Sequence, residues 1–228
     1  MEKTKKIARI GNVVLIILAM ACLVYYDVRG GLWLKGVTSG WFVLLGTWNL
    51  LYAGRRGCRN FRFLLLIELE LILTMTADVM LGIHFMTGTV LFALGHVSCC
   101  AAFCVLEKFR RRDLILILLV SGVSLFLVLG LPYIQVEDPV MQAVLVVYAI
   151  VISCMLGKGL GNLLAKKSPA RWLMAIGGCL FWFSDLMLAL NLFGSGGRTA
   201  SLLCMYTYWP GQSILAHSLY HAVNENCE

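Results

Sequence analysis

Long apolar blocks separated by short polar linkers make up nearly the whole chain. Most blocks are close to the ~20 residues that a helix needs to cross a hydrocarbon core about 30 Å thick. The eight blocks cover residues 7–27, 34–53, 61–82, 84–106, 114–131, 140–157, 172–193 and 201–222. Backbone groups in lipid must form their hydrogen bonds internally, which favours helices. The pattern therefore predicts an all-α polytopic transmembrane bundle of eight spans, forming a single domain over residues 1–228.

Lysine and arginine are concentrated on alternate linkers. Sixteen of the 19 basic residues lie in the N-terminal tail and in the second, fourth and sixth linkers. They are Lys3, Lys5, Lys6, Arg9, Arg55, Arg56, Arg59, Arg62, Lys108, Arg110, Arg111, Arg112, Lys158, Lys166, Lys167 and Arg171. The opposite side carries Arg29, Lys35 and Arg198. Because cytoplasmic loops are enriched in basic residues, we predict that both termini are cytoplasmic. For a bacterial protein this means the cytoplasmic, or inner, membrane.

Composition supports a membrane protein and excludes a water-soluble globule. Hydrophobic residues make up 60% of the chain and charged residues 14%, with a mean hydropathy of +0.85, whereas soluble domains carry about 25% charged residues. The net charge of +7 arises from short basic clusters between apolar blocks, so it predicts topology and not nucleic-acid binding. Seven of the nine cysteines lie inside apolar blocks, where cysteine acts as a small hydrophobe. No cysteine pair has CxxC spacing, and we expect no disulfide framework, bound metal or other cofactor.

A short motif occurs twice, four spans apart. Span three contains Asp78-Val79-Met80-Leu81, and span seven contains Asp185-Leu186-Met187-Leu188. Many membrane proteins are built from internal repeats. The two copies are compatible with a 4+4 duplication of the bundle.

Several polar residues lie inside apolar blocks, where a charge costs about 2.5–3.5 kcal/mol at mid-bilayer and needs a partner or a wet cavity. They are Glu68, Glu70, Asp78, His96, Asp185, Tyr208 and Gln212. The two aspartates lie in the outer halves of spans that run outward, and His96, Tyr208 and Gln212 lie on spans that return inward. We therefore predict that Asp78, Asp185, His96, Tyr208 and Gln212 meet in one cavity between the midplane and the outer face. The alternative is an interhelical hydrogen-bond network without chemistry.

Glu68 and Glu70 are separated from this group by helix geometry. Two residues apart on a helix, they project about 160° from each other and cannot serve one site equally. Both lie closer to the cytoplasmic end, near Arg62. We interpret at least one of them as a paired or snorkelling carboxylate.

Three segments resemble the YhhN-like lysoplasmalogenases, a family of small multi-span membrane hydrolases. They are Asp78–Leu81 followed by Gly88–His96, Gly177–Asp185 continuing to Asn191, and Tyr206–Gln212. These match an Asp-containing span and the elements Phe-x-x-Gly-His, Phe-x-x-Ser-Asp and Tyr-x-x-x-Gln of the family. The chain departs from the family at Cys99, where tyrosine is frequent, and in span two, where it has no Lys-Pro pair and Ser39-Gly40 is the nearest candidate.

The resemblance implies hydrolysis of the vinyl ether of a lysoplasmalogen, with a fatty aldehyde and a glycerophospho-head group as products. It implies catalytic roles for Asp78, Asp185 and His96, and substrate-binding roles for Tyr208, Gln212, Ser184 and Asn191. Vinyl ethers react through an oxocarbenium ion, so a protonated acid and a nearby anion are needed, as in glycosidases. Either aspartate fits either role. The implied partners are a lysophospholipid substrate and the lipid bilayer, with no nucleic acid; the oligomeric state is open.

Three other functions fit the same polar residues. A metal-dependent membrane lipid hydrolase would use His96 and the two aspartates as zinc ligands. A small transporter would use the buried carboxylates as a proton relay. A purely structural membrane protein would tolerate neutral substitutions at Asp78 and Asp185.

Overall fold

The computed structural model describes residues 2–58, 61–130 and 133–226. Within these ranges the chain is all-α, as predicted, with eight α-helices. The helices are α1 (Glu2–Arg29), α2 (Leu32–Arg55), α3 (Arg62–Leu81), α4 (Phe85–Leu106), α5 (Arg111–Leu125), α6 (Pro139–Ala165), α7 (Pro169–Phe193) and α8 (Gly197–Asn226). A π-helical turn, Phe126–Gly130, continues α5. Arg59 and the end of the predicted fifth span at residue 131 lie outside the described residues.

Each predicted span coincides with one helix, although not every helix is equally apolar. Five are long and apolar enough to cross a membrane: Glu2–Arg29, Phe85–Leu106, Arg111–Gly130, Pro139–Ala165 and Pro169–Phe193. The other three, α2, α3 and α8, carry many polar side chains that are buried between helices. The eight spans, the cytoplasmic termini and the 4+4 repeat remain predictions.

The bundle presents apolar side chains outward and keeps many polar ones inside. Ile17, Leu118 and Val147 are each more than half exposed, whereas Asn49, Glu70 and Gln212 are fully buried. An extensive exposed apolar surface marks contact with lipid or another apolar partner. This distribution suits an integral membrane protein.

Helices α1 and α2, α3 and α4, α5 and α6, and α7 and α8 pack in pairs, and α2, α3 and α8 also contact one another. Glycines permit the closest approaches. A Cβ atom on Gly177 would lie 3.0 Å from the carbonyl oxygen of Gly211, and one on Gly88 would lie 2.6 Å from the backbone of Leu81. Small residues at such crossings let helix backbones pack closely in membranes. These crossings bring α3 to α4 and α7 to α8, the helices that carry the candidate site.

The basic cluster of the sixth linker differs from the prediction, because α6 does not end near residue 157. It continues to Ala165, so Lys158 lies within the helix, fully buried, and forms an ion pair with Asp113 at 2.9 Å. The reason is close packing of α6 against α5, where a Cβ on Gly157 would lie 2.7 Å from the backbone of Ile117. Lys158 is therefore an interhelical pairing residue and does not belong to a linker.

Arg171, the other buried member of that cluster, lies in the first turn and a half of α7. It forms an ion pair with Glu107 at 3.1 Å and donates a hydrogen bond to the Asn162 carbonyl at 3.0 Å. These contacts tie the α4–α5 linker to the start of α7 and the start of α7 to the last turns of α6. Two of the basic residues that predicted topology thus also hold helices together.

The cysteines follow the prediction inside the helices. Seven thiols in α1, α4, α6, α7 and α8 are free. Cys58, which follows α2 and lies outside the apolar blocks, is disulfide-bonded.

Candidate functional site

One cavity, of about 130 Å³, is bordered by both aspartates that the sequence analysis singled out. It lies at the end of the bundle that holds the α1–α2, α3–α4 and α7–α8 linkers. Its walls are Tyr26, Lys35, Asp78, Leu81, Phe92, Ser184, Asp185, Leu188, Asn191, Ser201, Cys204, Met205, Tyr208 and Trp209. Asp78 from α3 and Asp185 from α7 thus border the same space. We call it the polar cavity.

Asp78 is held by two side chains of α2. Lys35 forms an ion pair with its carboxylate at 3.2 Å and also donates to its backbone carbonyl at 3.1 Å. Ser39 donates to the other carboxylate oxygen and itself accepts from the indole N–H of Trp209 at 3.0 Å. Lys35 and Ser39 are four residues apart, which places them on one helix face. The carboxylate charge of Asp78 therefore has a cationic partner at the cavity wall.

Asp185 has a different set of partners. Its Oδ2 accepts from the Tyr148 hydroxyl at 2.6 Å and lies 3.1 Å from Nε2 of His96. The same His96 nitrogen lies 2.9 Å from the Tyr148 oxygen, so the three groups form a closed triangle between α4, α6 and α7. His96 is fully buried, its ring packs 4.4 Å from that of Phe181, and its Nδ1 has no partner among the described residues. The imidazole of His96 and the carboxyl of Asp185 are therefore close enough to pass a proton directly from one to the other.

The structure places three of the four predicted substrate-binding residues on the wall of the polar cavity. They are Tyr208, Ser184 and Asn191. The hydroxyl groups of the first two donate to backbone carbonyls, Tyr208 to Thr74 at 3.4 Å and Ser184 to Phe181 at 2.7 Å. His96 lies behind Asp185, in contact with it but not on the cavity wall.

Gln212 lies apart from the polar cavity, contrary to the prediction that it joins the other four residues. Its side-chain amide donates to Glu70 Oε1 at 2.9 Å. Gln212 is on the same face of α8 as Tyr208 but ~6 Å further along the axis, since a helix rises 1.5 Å per residue. Because of this offset of one helical turn, the Gln212 side chain lies beside Glu70 and not beside Asp78.

Neither Glu68 nor Glu70 behaves as the sequence predicted. Within the described residues neither forms an ion pair, and neither snorkels, because Glu70 is fully buried and Glu68 is 7% exposed. Glu68 accepts from Thr47 of α2 at 2.6 Å, while Glu70 faces Gln212 of α8. The opposed directions agree with helix geometry, but both carboxyl groups point to neighbouring helices and not to the exposed face of α3, which carries Leu65, Leu69 and Ile72.

Sequence reasoning assigned no role in the site to Lys35, Ser39 or Tyr148, although it named Ser39-Gly40 as the nearest candidate for the missing Lys-Pro pair of span two. Lys35 was considered only as one of the three basic residues on the side opposite the basic linkers. Its spacing of four residues from Ser39, inside an apolar block, could have indicated that the two polar side chains share one helix face. Tyr148 carries no such signal, because one tyrosine in the apolar run of α6 resembles any core aromatic.

The described residues 2–58, 61–130 and 133–226 contain no group of three or more histidine, cysteine, aspartate or glutamate side chains arranged to hold a metal ion. His96 and Asp185 contact each other directly.

The family comparison covers nearly the entire chain. The YhhN family model matches residues 13–219. The chain belongs to the YhhN family. The matched range contains every wall residue of the polar cavity, together with His96 and Tyr148, so the candidate site lies within the YhhN region. No curated protein and no solved structure matches the chain.

Proposed function

We propose that this YhhN-family protein is a membrane lysoplasmalogenase, which hydrolyses the vinyl ether bond of a lysoplasmalogen. The products are a fatty aldehyde and a glycerophospho-head group. The single observation that carries the proposal is that Asp78 and Asp185 border one cavity with unlike partners. Two carboxyl groups in different surroundings are the arrangement that oxocarbenium chemistry uses.

The reaction needs one proton to enter and one to leave. A proton adds to the alkenyl carbon distal to the ether oxygen, and the C=C π bond supplies the electron pair, which gives an oxocarbenium ion. Water adds to the carbon attached to that oxygen and loses a proton to a base, so a hemiacetal forms. The hemiacetal then breaks its C–O bond to glycerol as its hydroxyl proton is transferred to the glycerol oxygen, which yields the aldehyde and the glycerol hydroxyl. No oxidant or reductant is consumed.

In this proposal Asp185 delivers the proton. Its carboxyl adjoins His96 at 3.1 Å, which can resupply the proton after each turnover, and Tyr148 fixes the carboxyl orientation with its 2.6 Å hydrogen bond. General acid catalysis needs this combination of a positioned acid and a proton source.

Asp78 then stabilises the oxocarbenium ion as a carboxylate. Its ion pair with Lys35 and the hydrogen bond from Ser39 keep it oriented toward the cavity. Lys35 itself lines the cavity and supplies the positive charge that a phosphate head group requires. Tyr208, Ser184 and Asn191 orient the water and the head group; Gln212 has no contact role in this scheme.

The membrane placement is part of the proposal. With both termini cytoplasmic, the polar cavity lies in the outer half of the bilayer, and the odd-numbered linkers close it from outside. The apolar exterior of the bundle supports residence in lipid, where a lysophospholipid is concentrated.

The deciding experiment is aldehyde release by the purified protein in detergent. Lysoplasmenylethanolamine is the substrate, and the ester lysophospholipid with the same head group is the control. The proposal expects aldehyde from the vinyl ether and no fatty acid from the ester. Release of fatty acid alone, or turnover that stops in chelator and returns with zinc, would replace it with another hydrolase mechanism.

A further inference from the structure

A second cavity, of about 50 Å³, adjoins the polar cavity between α4, α6 and α7. Its walls are Leu81, Phe85, Thr89, Phe92, Leu145, Tyr148, Asp185, Leu188, Ala189, Leu192 and Phe193. Four of these residues, Leu81, Phe92, Asp185 and Leu188, also border the polar cavity. The two spaces therefore share one wall, with Asp185 at the junction. We call the second space the apolar cavity.

The chemistry of the apolar cavity suits hydrocarbon only. The Thr89 hydroxyl already donates to the Phe85 carbonyl of its own helix at 3.0 Å. Tyr148 and Asp185 are the remaining polar side chains on the wall, and they bond each other at the junction. Along the rest of its length the cavity offers no polar side chain to a ligand, so an apolar occupant gains most from burial there.

The apolar cavity runs from the junction to the ends of two helices. Phe92 lies at the junction, and Phe85 begins α4, seven residues away, which corresponds to ~10 Å along the helix. At that end Phe85 meets Phe193, the last residue of α7, edge to face at 6.0 Å. Leu192 beside them is 46% exposed on the outer surface of the bundle. A chain that enters at the junction can therefore continue toward lipid.

A third cavity, of about 40 Å³, also touches Asp185 but fits less well. Of its wall residues only Asp185 is shared with the polar cavity. Its wall includes Ser124 and Trp182, which are hydrogen-bonded to each other at 2.8 Å. The polar cavity shares one wall residue with this space and four with the apolar cavity, so the apolar cavity is the more continuous extension for an amphiphile in the polar cavity.

We infer that the apolar cavity binds the hydrocarbon chain of the lysophospholipid, while the polar cavity holds its head group. The junction then places the first carbons of the chain, where the vinyl ether lies, against Asp185. This inference rests on the proposed function for the identity of the substrate. It identifies the wall residues of the apolar cavity as those that bind the hydrocarbon chain, and it predicts that the size of the side chain at Thr89 decides how much room the chain has.

A binding experiment separates this inference from catalysis. The probe is a saturated 1-O-alkyl lysophospholipid with a diazirine in the chain, which lacks the vinyl C=C and so is not hydrolysed by the proposed reaction. After irradiation of the purified wild-type protein, mass spectrometry should find the label on segments 85–92 and 188–193. Label on Ser124 or Trp182 instead would overturn the inference in favour of the third cavity.

Two matched variants sharpen the result. Thr89→Phe fills the apolar cavity, and Thr76→Phe makes the same change at an exposed threonine whose hydroxyl also bonds its own helix four residues back, at Ile72. Labelling should fall at least about tenfold in the first, from overpacking, and stay unchanged in the second. Thr89→Leu, a smaller change, should give an intermediate loss and covers the case in which the Phe variant does not fold. Equal labelling of all three variants would overturn the inference.

The two proposals fail separately. Specific labelling of the apolar cavity without aldehyde release from any vinyl ether removes the enzyme assignment and leaves the chain-binding site. Aldehyde release with label elsewhere removes the chain-binding site and leaves the enzyme.

Discussion

Two aspartate–lysine ion pairs at opposite ends of the bundle have similar chemistry and different surroundings. Asp113 and Lys158 lie 2.9 Å apart, and both side chains are 0% exposed. Asp78 and Lys35 lie 3.2 Å apart, but the lysine is 21% exposed and both residues border the polar cavity. The first pair joins α5 to α6 with both side chains fully buried, and the second borders a cavity with room for a ligand. Burial of a charge in a membrane helix therefore identifies a function only together with a cavity.

The largest effect is expected at Asp185. Asp185→Asn removes the proton donor but retains a side chain that can bond Tyr148, so turnover should fall about a thousandfold while the protein stays folded. Aldehyde release and the melting temperature in detergent measure the two quantities. The matched control is Glu70→Gln, a neutral substitution at a fully buried carboxyl that does not border the polar cavity. It should retain turnover. Full activity of Asp185→Asn would remove this residue from the mechanism.

The next effect is a loss of stability when the fully buried ion pair of Lys158 and Asp113 is broken. Lys158→Met leaves the buried Asp113 without its closest cation and should cost about 3 kcal/mol of unfolding free energy. Arg112, 3.5 Å from the other carboxylate oxygen of Asp113, limits the loss. Denaturant titration in mixed micelles measures it, and the double variant Lys158→Met with Asp113→Leu should recover part of it. A loss below ~1 kcal/mol would show that the pair is not the tie between α5 and α6.

Breaking the ion pair of Lys35 and Asp78, which borders the polar cavity, should reduce activity more than stability. Lys35→Met is expected to cost less stability than Lys158→Met, because the lysine is partly exposed and Ser39 still donates a hydrogen bond to the Asp78 carboxylate. Turnover at low substrate should fall about tenfold through loss of a charge-assisted contact to phosphate. A fall in kcat/KM with little change in melting temperature supports a ligand-binding role. The reverse result, with stability lost and kcat/KM kept, would make the two ends of the bundle alike.

The apolar pattern predicted the helices well because the bilayer imposes one length and one hydrogen-bonding solution. It failed where packing between helices decides the outcome. Helix α6 continues beyond Lys158 because glycines let α5 pack closely over the part of α6 around that residue. The hydropathy of single residues does not predict which helices pack against each other. The polar cavity could be predicted in part, because Asp78 and Asp185 are costly in lipid. Gln212 was misplaced by one helical turn, and Tyr148 was invisible because its role depends on the side chains of α4 and α7 that meet it.

The smallest effect is a pH dependence at the α4–α5 linker. Burial raises the pKa of Glu107, but the hydrogen bond from Arg171 and the charges of Arg110 and Arg171 outweigh it, and the pKa is lowered from its ordinary value. A carboxyl with a lowered folded-state pKa stabilises the fold above its unfolded pKa, near 4.3, and loses that contribution as pH falls through the lower folded value. The contribution should be below ~1 kcal/mol, since Glu107 is close to water.

Glu107→Gln tests this contribution, since the amide keeps the shape of the side chain and removes the titration. The difference in unfolding free energy between wild type and variant should be constant at neutral pH and shrink below pH ~4, because the protonated wild-type carboxyl then resembles the amide. Asp138→Asn, at the N-cap of α6, is the matched control, because Asp138 accepts a hydrogen bond from the backbone N–H of Val140 but forms no ion pair with a described residue. A wild-type minus Glu107→Gln difference that does not change with pH would show that Arg171 is held by the Asn162 carbonyl and not by Glu107. Arg171 would then join α7 to α6 alone, through a neutral acceptor, and would not hold the α4–α5 linker.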